Sequence, residues 1–297
     1  MNSNPMISLV MPVYNGEKFL KEAMESILNQ TYKDFEFLIV YDESTDGTLS
    51  IIQKFQEQDT RVVLINGDKE GISGALNKGI KKSRGKYIAR LDADDISLPT
   101  RFEKQINHME IFKLDICGGH SLLIDSDGKI NGIGMVPRSH DLCGLSMMFM
   151  VPFAHSSVMI LKSFLIDSSL KYIGKYEDFD LWARMFSAGA KFGNVDDVVV
   201  RYRVLKDSLS IVHAAGSRRD TRRVLKIFRI EHQKYLSGVI KHVDMELLSE
   251  GEKLLVVRYL INRAIIKFDL FGLYRLKDIA LRSVVITLLS EIRRPWR

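Results

Sequence analysis

Three carboxylates lie within four positions of the chain, directly after a short apolar run. Asp92, Asp94 and Asp95 follow the sequence KYIARL, which is typical of a buried β-strand. Carboxylates this close repel one another, and burial raises the cost of keeping them ionised. Mg²⁺ and Mn²⁺ prefer oxygen ligands, commonly protein carboxylates together with substrate phosphates. The spacing therefore indicates a site for a divalent cation and a diphosphate. The alternative is a solvated acidic turn in which Asp95 caps a helix that begins near Pro99.

A second set of acids lies in the segment KYEDFDLWARMF. Glu177, Asp178 and Asp180 precede residues with helical apolar spacing. A positioned carboxylate can take the proton of an attacking hydroxyl group, so one of these acids could act as a general base. Acidic residues are also favoured at a helix start by the helix dipole, without any catalytic role. The residue types alone leave both interpretations open.

The first hundred residues alternate between short apolar runs and amphipathic helical patterns. Strands are predicted at 7–13, 35–41, 61–65 and 86–91, with helices between them. Strands separated by helices imply right-handed crossovers and a parallel sheet covered on both faces. Ligands of such sheets bind beyond the carboxyl ends of the strands. Acids that follow the second and fourth predicted strands are therefore expected to meet at one edge.

Glycine-rich phosphate-binding loops are missing from the sequence. No GxGxxG follows a predicted strand, which argues against a Rossmann dinucleotide site. The segment GIKKSRGKY (79–87) has one residue too many between its glycines for a Walker loop, and Tyr87 stands where that loop needs Ser or Thr. A cation held by the aspartate cluster is therefore predicted to bind phosphate instead.

The composition is that of a globular protein of 297 residues with a formal net charge of +6. Its two cysteines, Cys117 and Cys143, are far apart and lack metal-binding spacing, which predicts core thiols in a reducing compartment. The N-terminus has no secretory pattern, so a cytoplasmic location is expected. Residues 142–161 contain no formally charged side chain, but Pro152 and His155 interrupt them. A buried loop followed by a core strand is predicted there, rather than a membrane span.

The positive charge lies in the C-terminal part of the chain. Residues 216–297 carry 18 Lys and Arg against 9 Asp and Glu, whereas residues 1–215 are net negative. We therefore predict a catalytic domain, 1–215, followed by a basic helical region, 216–297. Its helices could pack on the catalytic domain, pack on a second subunit in a homo-oligomer, or lie on an anionic membrane surface. No motif of a nucleic-acid-binding module accompanies the basic residues, so nucleic acid is not expected as a partner.

Several motifs together closely resemble those of the family-2 glycosyltransferases, which have the GT-A nucleotide-diphospho-sugar fold. They are SLVMPVYNGEKFLKEAMESILNQTYKDFEFLIVYDESTDGT, GISGALNKGI, GKYIARLDADD and KYEDFDLWARMFSAG. The resemblance covers about residues 6–205. It implies an α/β fold with a mostly parallel central sheet flanked by helices, to which the basic helical region would be a C-terminal extension.

The resemblance also implies which residues bind the nucleotide. Asp42 matches the acid that reads the base, usually uracil, and Pro12 and Tyr14 match the positions beside that base. Asp92 matches the nucleotide-facing acid of the family's DxD motif. Glu43 is a departure, because the family often has glycine at this position.

The metal and the chemistry follow from the same resemblance. Asp94 matches the metal-ligating aspartate, so Mn²⁺ or Mg²⁺ is the implied cofactor, and Asp178 matches the catalytic base. His155 lies in a His-x-Ser-Val-Met stretch that many family members place near the active site, and it is a candidate contact for the diphosphate or the acceptor. Basic candidates for closing over the diphosphate are Arg201, Arg203 and Lys206.

The implied activity is an inverting, metal-dependent transfer of a sugar from a nucleotide-sugar donor, with a UDP-sugar favoured. The implied acceptor is a glycan or lipid-linked sugar in cell-surface polysaccharide assembly. Two alternatives remain: a glycoside hydrolase that uses paired carboxylates, and a nucleotide-sugar-binding protein without catalytic activity. A transferase of this kind is expected in the cytoplasm, with its basic helices against the cytoplasmic face of the inner membrane.

Overall fold

The structure is a computed structural model that describes residues 4–174, 177–205 and 214–267, with 214–222 and 261–267 described by backbone alone. The strands are β1 (Ile7–Val13), β2 (Phe35–Tyr41), β3 (Val62–Asn66), β4 (Tyr87–Arg90), β5 (Ile96–Ser97), β6 (Ile116–Ile124), β7 (Ile130–Gly134), β8 (Met159–Leu161) and β9 (Phe192–Arg203). The α-helices are α1 (Glu17–Leu28), α2 (Thr48–Gln58), α3 (Gly71–Lys82), α4 (Arg101–Phe112), α5 (His140–Ser146), α6 (Lys162–Asp167), α7 (Glu177–Ser187), α8 (Ala214–His242) and α9 (Glu250–Lys267). Single 3₁₀ turns lie at His155–Ser157 and Met245–Leu247.

The strands form one sheet in the order β3-β2-β1-β4-β8-β6-β9-β5, with β7 paired to β6. The first four strands are parallel, as the alternation of strand and helix patterns predicts. β8 then runs antiparallel to both β4 and β6, while β6 and β9 are parallel. The predicted strands are found in place, with differences of one residue at the ends of β3 and β4. The predicted α/β class is confirmed.

Alternate side chains of β1 enter two different cores, one on each face of the sheet. Leu9 and Met11 pack in one core with Leu20 of α1. Val10 packs in the other core with Leu76 of α3. Successive strand side chains point to opposite faces, so a strand covered on both faces needs consecutive apolar residues. Polar chemistry is then confined to the strand ends, where the candidate site lies.

Residues 142–161 are buried but more helical than predicted. Most of α5 lies in the predicted loop, and its residues from Leu142 to Ser146 are buried. The predicted core strand is present as β8, which is only three residues long. No helix in the described part of the chain combines the length and the apolar composition that a bilayer crossing needs.

The helices α8 and α9 pack on α5 and α7. Phe228 and Leu236 of α8 and Val256 of α9 are buried in the same core as Trp182 and Phe186 of α7. The described part of the basic helical region therefore shares a core with the catalytic part, and the boundary at residue 215 stays a prediction. Residues 268–297 lie outside the described residues.

Candidate active site

The loops after β1 and β2 are hydrogen-bonded to each other at the carboxyl edge of the sheet. Asn15, whose backbone φ is 47°, accepts a hydrogen bond from the Thr45 N–H at 2.9 Å. The Asn15 N–H donates to Ser44 Oγ at 3.0 Å. Asp46 accepts the N–H of Glu17 at 3.1 Å. These bonds fix the two loops relative to each other at the edge where the sequence predicts the nucleotide site.

Pro12, Tyr14 and Asp42 all lie at this edge. Tyr14 is 65% exposed, and Asp42 is half-buried. The Oδ1 atom of Asp42 accepts the N–H of Lys69 at 3.0 Å. Gly67 is so close that an added Cβ would lie 2.0 Å from the same oxygen. The orientation of the Asp42 carboxylate therefore depends on the backbone that follows β3.

Glu43 forms an ion pair with Lys69, with 2.5 Å between Oε2 and Nζ and both side chains exposed. The hydrogen bond and the charge of Lys69 lower the pKa of Glu43. Exposed pairs of this kind add little stability. Glu43 stands where the family often has glycine, and its backbone φ is not positive, so the turn does not require glycine at this position.

The three aspartates after β4 come together in space. Carboxylate oxygens of Asp92, Asp94 and Asp95 lie within 4.8 Å of one another. The Asp92 carboxylate accepts two hydrogen bonds from the buried Arg90 guanidinium and one from Ser156 Oγ at 3.0 Å. Ser156 Oγ also lies 2.9 Å from Arg90 Nη1. The first acid of the cluster is therefore oriented by protein groups alone.

Crowding and burial raise the pKa values of the other two acids. Burial and the charge of Asp92 raise the pKa of Asp94 to about 6. Burial and both neighbouring carboxylates raise the pKa of Asp95 well above its ordinary value. Asp95 is 1% exposed, and its Oδ2 has no hydrogen-bond partner. Such a buried oxygen is costly, and a divalent cation would offset both this cost and the repulsion between the acids. The cluster therefore fits Mn²⁺ or Mg²⁺.

Asp95 does not cap the following helix. That helix, α4, begins at Arg101, and the preceding Thr100 makes no side-chain capping bond. The Oδ1 atom of Asp95 instead accepts the backbone N–H of Arg203 at 2.7 Å. The interpretation of a solvated turn that caps a helix near Pro99 is therefore wrong, because Asp95 is buried and tied to β9.

Arg203 holds the acidic turn from the side of β9. Its Nε donates to Asp94 O at 2.8 Å, and its Nη2 pairs with Glu22 Oε2 at 2.8 Å. The residue is buried. Arg203 therefore fixes the cluster, rather than projecting toward a diphosphate. Lys206, another basic candidate, lies outside the described residues.

Two buried arginines beneath the cluster were not anticipated from the sequence. Arg101 donates through Nη2 to Arg90 O at 2.8 Å and to Val158 O at 3.1 Å. Burial and the nearby charge of Arg90 lower the pKa of Arg101 to about 9. Positive charge below the acids favours their ionised forms. Strand spacing does not identify Arg90, because β4 ends at this residue and Asp92 lies beyond it.

Glu177 and Asp178 lie in the first turn of α7. Glu177 is 6% exposed, and burial together with the charge of Asp178 raises its pKa to about 7. Burial also raises the pKa of Asp178, whose Oδ1 accepts the N–H of Phe179 at 2.6 Å. Asp180 forms an ion pair with Arg184 at 2.5 Å. Asp180 is thereby engaged within α7, which leaves Glu177 and Asp178 as the acid pair of this turn.

The acid pair lies near the aspartate cluster, because His155 faces Glu177 and the next residue, Ser156, donates a hydrogen bond to Asp92. The charge of Arg90 lowers, and the charge of Asp92 raises, the pKa values of both Glu177 and Asp178. His155 lies against the pair, with 3.8 Å between its Nδ1 and Glu177 Oε1. Burial and the charge of Arg90 lower the pKa of His155 well below its ordinary value, so the imidazole is neutral. The site therefore combines a cation position, a carboxylate pair and a neutral histidine.

Comparison with known families decides what kind of enzyme carries this site. A family model described as glycosyl transferase family 2 matches residues 8–166, more than half of the chain. The chain belongs to glycosyltransferase family 2. The predicted family and the prediction of an enzyme are confirmed. The matched residues include Asp42 and the aspartate cluster and end before α7.

This glycosyltransferase is similar to curated proteins over about two thirds of its length. It is 36% identical over 209 residues to an uncharacterized glycosyltransferase of Methanocaldococcus jannaschii, an alignment that covers 67% of this chain and 71% of that protein. It is 34% identical over 206 residues to the UDP-Glc:alpha-D-GlcNAc-diphosphoundecaprenol beta-1,3-glucosyltransferase WfaP of Escherichia coli, covering 69% and 80% of the two chains. The amylovoran biosynthesis glycosyltransferase AmsE of Erwinia amylovora is 30% identical, with coverage of 69% and 79%.

Solved structures confirm the GT-A fold of this family-2 enzyme. The mannosyltransferase PcManGT from Pyrobaculum calidifontis, in complex with GDP-Man and Mn²⁺, superposes with a TM-score of 0.61 at 16% identity, covering 93% of this chain and 79% of that one. Residues 1–349 of S. aureus TarS, in complex with UDP-GlcNAc, give a TM-score of 0.59 at 19% identity, covering 96% and 80%. The chain spans 46% of a longer TarS chain.

Proposed function

We propose that this glycosyltransferase moves a sugar from a UDP-sugar, with inversion and with bound Mn²⁺ or Mg²⁺, to a glycan or lipid-linked acceptor in cell-surface polysaccharide assembly. The observation that carries the proposal is the convergence of Asp92, Asp94 and Asp95 within 4.8 Å, in one site with the acid pair of α7. WfaP is named for a UDP-Glc donor and a diphosphoundecaprenol acceptor. The TarS structure contains UDP-GlcNAc, and the PcManGT structure contains GDP-Man and Mn²⁺. These names support a nucleotide sugar and a divalent metal as the class of ligand.

The nucleotide would bind along the carboxyl ends of β1 and β2. Asp42 would accept a hydrogen bond from the base. The Lys69 N–H fixes the orientation of the Asp42 carboxylate, which leaves its other lone pairs available as acceptors. The exposed ring of Tyr14 and the ring of Pro12 would offer apolar surface to the base. Asp92 would face the ribose or the diphosphate. Each carboxylate oxygen has two lone pairs, so Asp92 keeps acceptor capacity beside its bonds to Arg90.

Asp94 would be the principal metal ligand, with the unpartnered Oδ2 of Asp95 beside it. A divalent cation bound there supplies charge neutralisation to the departing nucleoside diphosphate. The chain itself contributes rigidity, because Ser156 holds Asp92 and Arg203 holds the backbone of Asp94. The ligands would then need little rearrangement when donor and cation bind.

Asp178 would take the proton from the acceptor hydroxyl. Burial raises its pKa, and a raised pKa makes a carboxylate a stronger base. Attack from the face opposite the diphosphate inverts the anomeric carbon in one displacement. The sequence made His155 a candidate contact for the diphosphate or the acceptor, but its ring nitrogens face Tyr172 and Glu177, so it would act through the acid pair instead.

The glycoside hydrolase considered from the sequence has no support from these comparisons, since the family and the named relatives are glycosyltransferases. A protein that binds nucleotide sugars without turning them over differs from the proposal only in turnover. Measuring UDP release from UDP-glucose and UDP-GlcNAc, with a synthetic GlcNAc-diphosphate lipid as acceptor, separates the two.

Calorimetric titration of UDP with and without MnCl₂ tests the donor site. We expect UDP to bind more tightly with Mn²⁺ and Asp94→Asn to lose the Mn²⁺-dependent part. Asp167→Asn is the matched control, because Asp167 is an exposed acid at the end of α6, which starts beside the amino end of β4. Equal UDP affinity with and without Mn²⁺, or an unchanged Asp94→Asn variant, would show that the metal assignment is wrong.

We also propose that α8 contacts an anionic membrane at the cytoplasmic face of the inner membrane. Arg223, Lys226, Ile227 and Ile230 are all exposed on this helix. Residues three and four apart on a helix are neighbours, so these side chains form one mixed basic and apolar face. Such a face is typical of helices that lie in a membrane interface. A lipid-linked acceptor would be met at the same surface.

A further inference from the structure

The segment before the acid pair is fastened to α3 by side chains of that helix. Asn77 Nδ2 donates to Tyr172 O at 2.9 Å, and Asn77 Oδ1 accepts the Tyr172 N–H at 2.9 Å. One turn earlier, Ser73 Oγ donates to Gly174 O at 2.6 Å. Because one amide side chain satisfies both backbone groups of Tyr172, it fixes the position and the direction of that residue.

Tyr172 extends this contact to His155. Its hydroxyl oxygen is 3.2 Å from His155 Nε2, and the two ring centroids are 5.5 Å apart. Trp182 of α7 packs edge-on against both rings, at 5.9 Å from His155 and 6.3 Å from Tyr172. Burial raises the pKa of the Tyr172 hydroxyl, which keeps its proton. The other ring nitrogen of His155 faces Glu177 Oε1 at 3.8 Å.

These contacts join the proposed nucleotide pocket to the acid pair. α3 begins at Gly71, two residues after the Lys69 N–H that holds Asp42. Asn77 lies on this same helix and holds Tyr172. A displacement of α3 would therefore be transmitted to the first turn of α7 through packed, hydrogen-bonded groups.

We propose that Asn77 and Tyr172 are positioning residues for Glu177 and Asp178, and that the Tyr172 hydroxyl donates to His155 Nε2. The inference rests on the proposed function, since it gives these residues a role in transfer only if the acid pair is catalytic. A neutral imidazole whose Nε2 accepts a hydrogen bond carries its proton on Nδ1. That N–H then points its positive end toward Glu177 and keeps the first turn of α7 in one arrangement.

The tautomer of His155 can be measured without any substrate. Correlation spectra of histidine ring ¹⁵N nuclei in the full chain, with His155→Gln to identify the signal, distinguish the two tautomers. We expect the Nδ1–H form in the wild type and a shift toward the Nε2–H form in Tyr172→Phe. Tyr87→Phe is the matched control, because Tyr87 is also buried and bonds through its hydroxyl to Glu110, at the amino end of β4. An Nε2–H form in the wild type, or no shift in Tyr172→Phe, overturns the proposal.

Kinetics test whether the contact matters for transfer. Tyr172→Phe and Asn77→Ala should each lower kcat roughly tenfold, while KM for the UDP-sugar and the Mn²⁺-dependent Kd of UDP stay within about twofold. The double variant should lose no more than the larger single loss, since both residues act through one path. Additive losses, or a kcat in Tyr172→Phe equal to that in Tyr87→Phe, would overturn the positioning role. A wild type that binds no UDP with Mn²⁺ would instead refute the proposed function, and the tautomer measurement would still decide the Tyr172–His155 contact.

Discussion

At the scale of single residues, the chemistry of each carboxyl group is set by what surrounds it. Asp92 is oriented by two hydrogen bonds from the buried Arg90 guanidinium. Burial and neighbouring carboxylates raise the pKa values of Asp94 and Asp95. A bound cation would lower these pKa values again. The pKa of Asp178 is raised chiefly by burial. In the proposed function, one residue type would thus serve as nucleotide ligand, metal ligand and base.

Replacement of the proposed base gives the first prediction. Asp178→Asn should lower turnover by roughly 10²-fold or more, the usual scale for a general base, and should leave UDP binding intact. UDP release and calorimetry measure the two effects. Asp180→Asn is the control, since it breaks only the pair with Arg184. Undiminished turnover in Asp178→Asn would indicate that Glu177, rather than Asp178, is the general base.

The raised pKa of Glu177 predicts a pH-dependent stability. Between the ordinary pKa of 4.5 and the folded value of about 7, the folded state keeps a proton that the unfolded state has lost. The contribution of this group to stability therefore falls as pH rises through that window, by on the order of 3 kcal/mol, and is level above it. Glu177→Gln cannot ionise, so its melting temperature should exceed that of the wild type at about pH 8 but not at about pH 4.5.

Thermal unfolding of the metal-free protein across this pH range measures the effect. Glu246→Gln, a change at an exposed glutamate, is the matched control and should follow the wild type at every pH. Parallel curves for Glu177→Gln and the wild type would mean that Glu177 ionises normally.

At the scale of elements, the site depends on how the loops after β1, β2 and β3 approach one another. The Lys69 N–H and the bare Cα of Gly67 both contact Asp42 from the segment after β3. Bonds between the loops after β1 and β2 complete the frame. The proposed nucleotide pocket would thus be formed by three loops at the carboxyl edge of the sheet.

Gly67→Ala tests this dependence. The new methyl group would lie 2.0 Å from Asp42 Oδ1, so the carboxylate must move, and UDP affinity should fall roughly tenfold if Asp42 reads the base. Gly238→Ala is the control, because a Cβ there meets nothing within 4 Å and alanine favours the helix. Calorimetry with UDP measures affinity. Wild-type affinity in Gly67→Ala would exclude Asp42 as a contact of the base.

At the scale of the whole molecule, one sheet carries a core on each face, and α8 and α9 extend one of these cores. The candidate polar site lies at the carboxyl edge of the sheet. The helix α8 packs on α5 and α7 with one face and exposes a basic and apolar face elsewhere. The described C-terminal helices are therefore part of the folded body and can also present a surface to a partner.

Vesicle flotation tests the membrane contact of α8. The wild type should float with vesicles that contain phosphatidylglycerol and less with phosphatidylcholine alone, because basic side chains near an anionic surface contribute about 1 kcal/mol each. Arg223→Glu with Lys226→Glu should abolish flotation. Lys81→Glu with Lys82→Glu makes the same charge change at exposed positions of α3 and should float normally. Equal loss in both double variants would indicate only a nonspecific charge effect.

The sequence by itself determined the first four strands, the helices between them and the position of the acids along the chain. Consecutive apolar residues such as those of 7–13 and 35–41 have one stable use, a strand covered on both faces, so the sheet and its carboxyl edge followed from composition and spacing. The sequence also placed Asp92, Asp94 and Asp95 directly after a predicted strand, which is why a cation site could be predicted at this edge. The ends of β3 and β4 differed by one residue, since terminal pairing depends on neighbouring strands.

Only the tertiary structure decided which groups orient the chemistry. Asp95 meets the Arg203 backbone 108 positions away, and Asn77 meets Tyr172 across 95 positions. No local pattern specifies such pairs, because they form only when packing brings distant segments together. Burial and charge at these contacts then set the pKa values of Asp94 and Glu177. Local periodicity fixes where a carboxylate stands along the chain, whereas its ionisation depends on neighbours that the fold alone supplies.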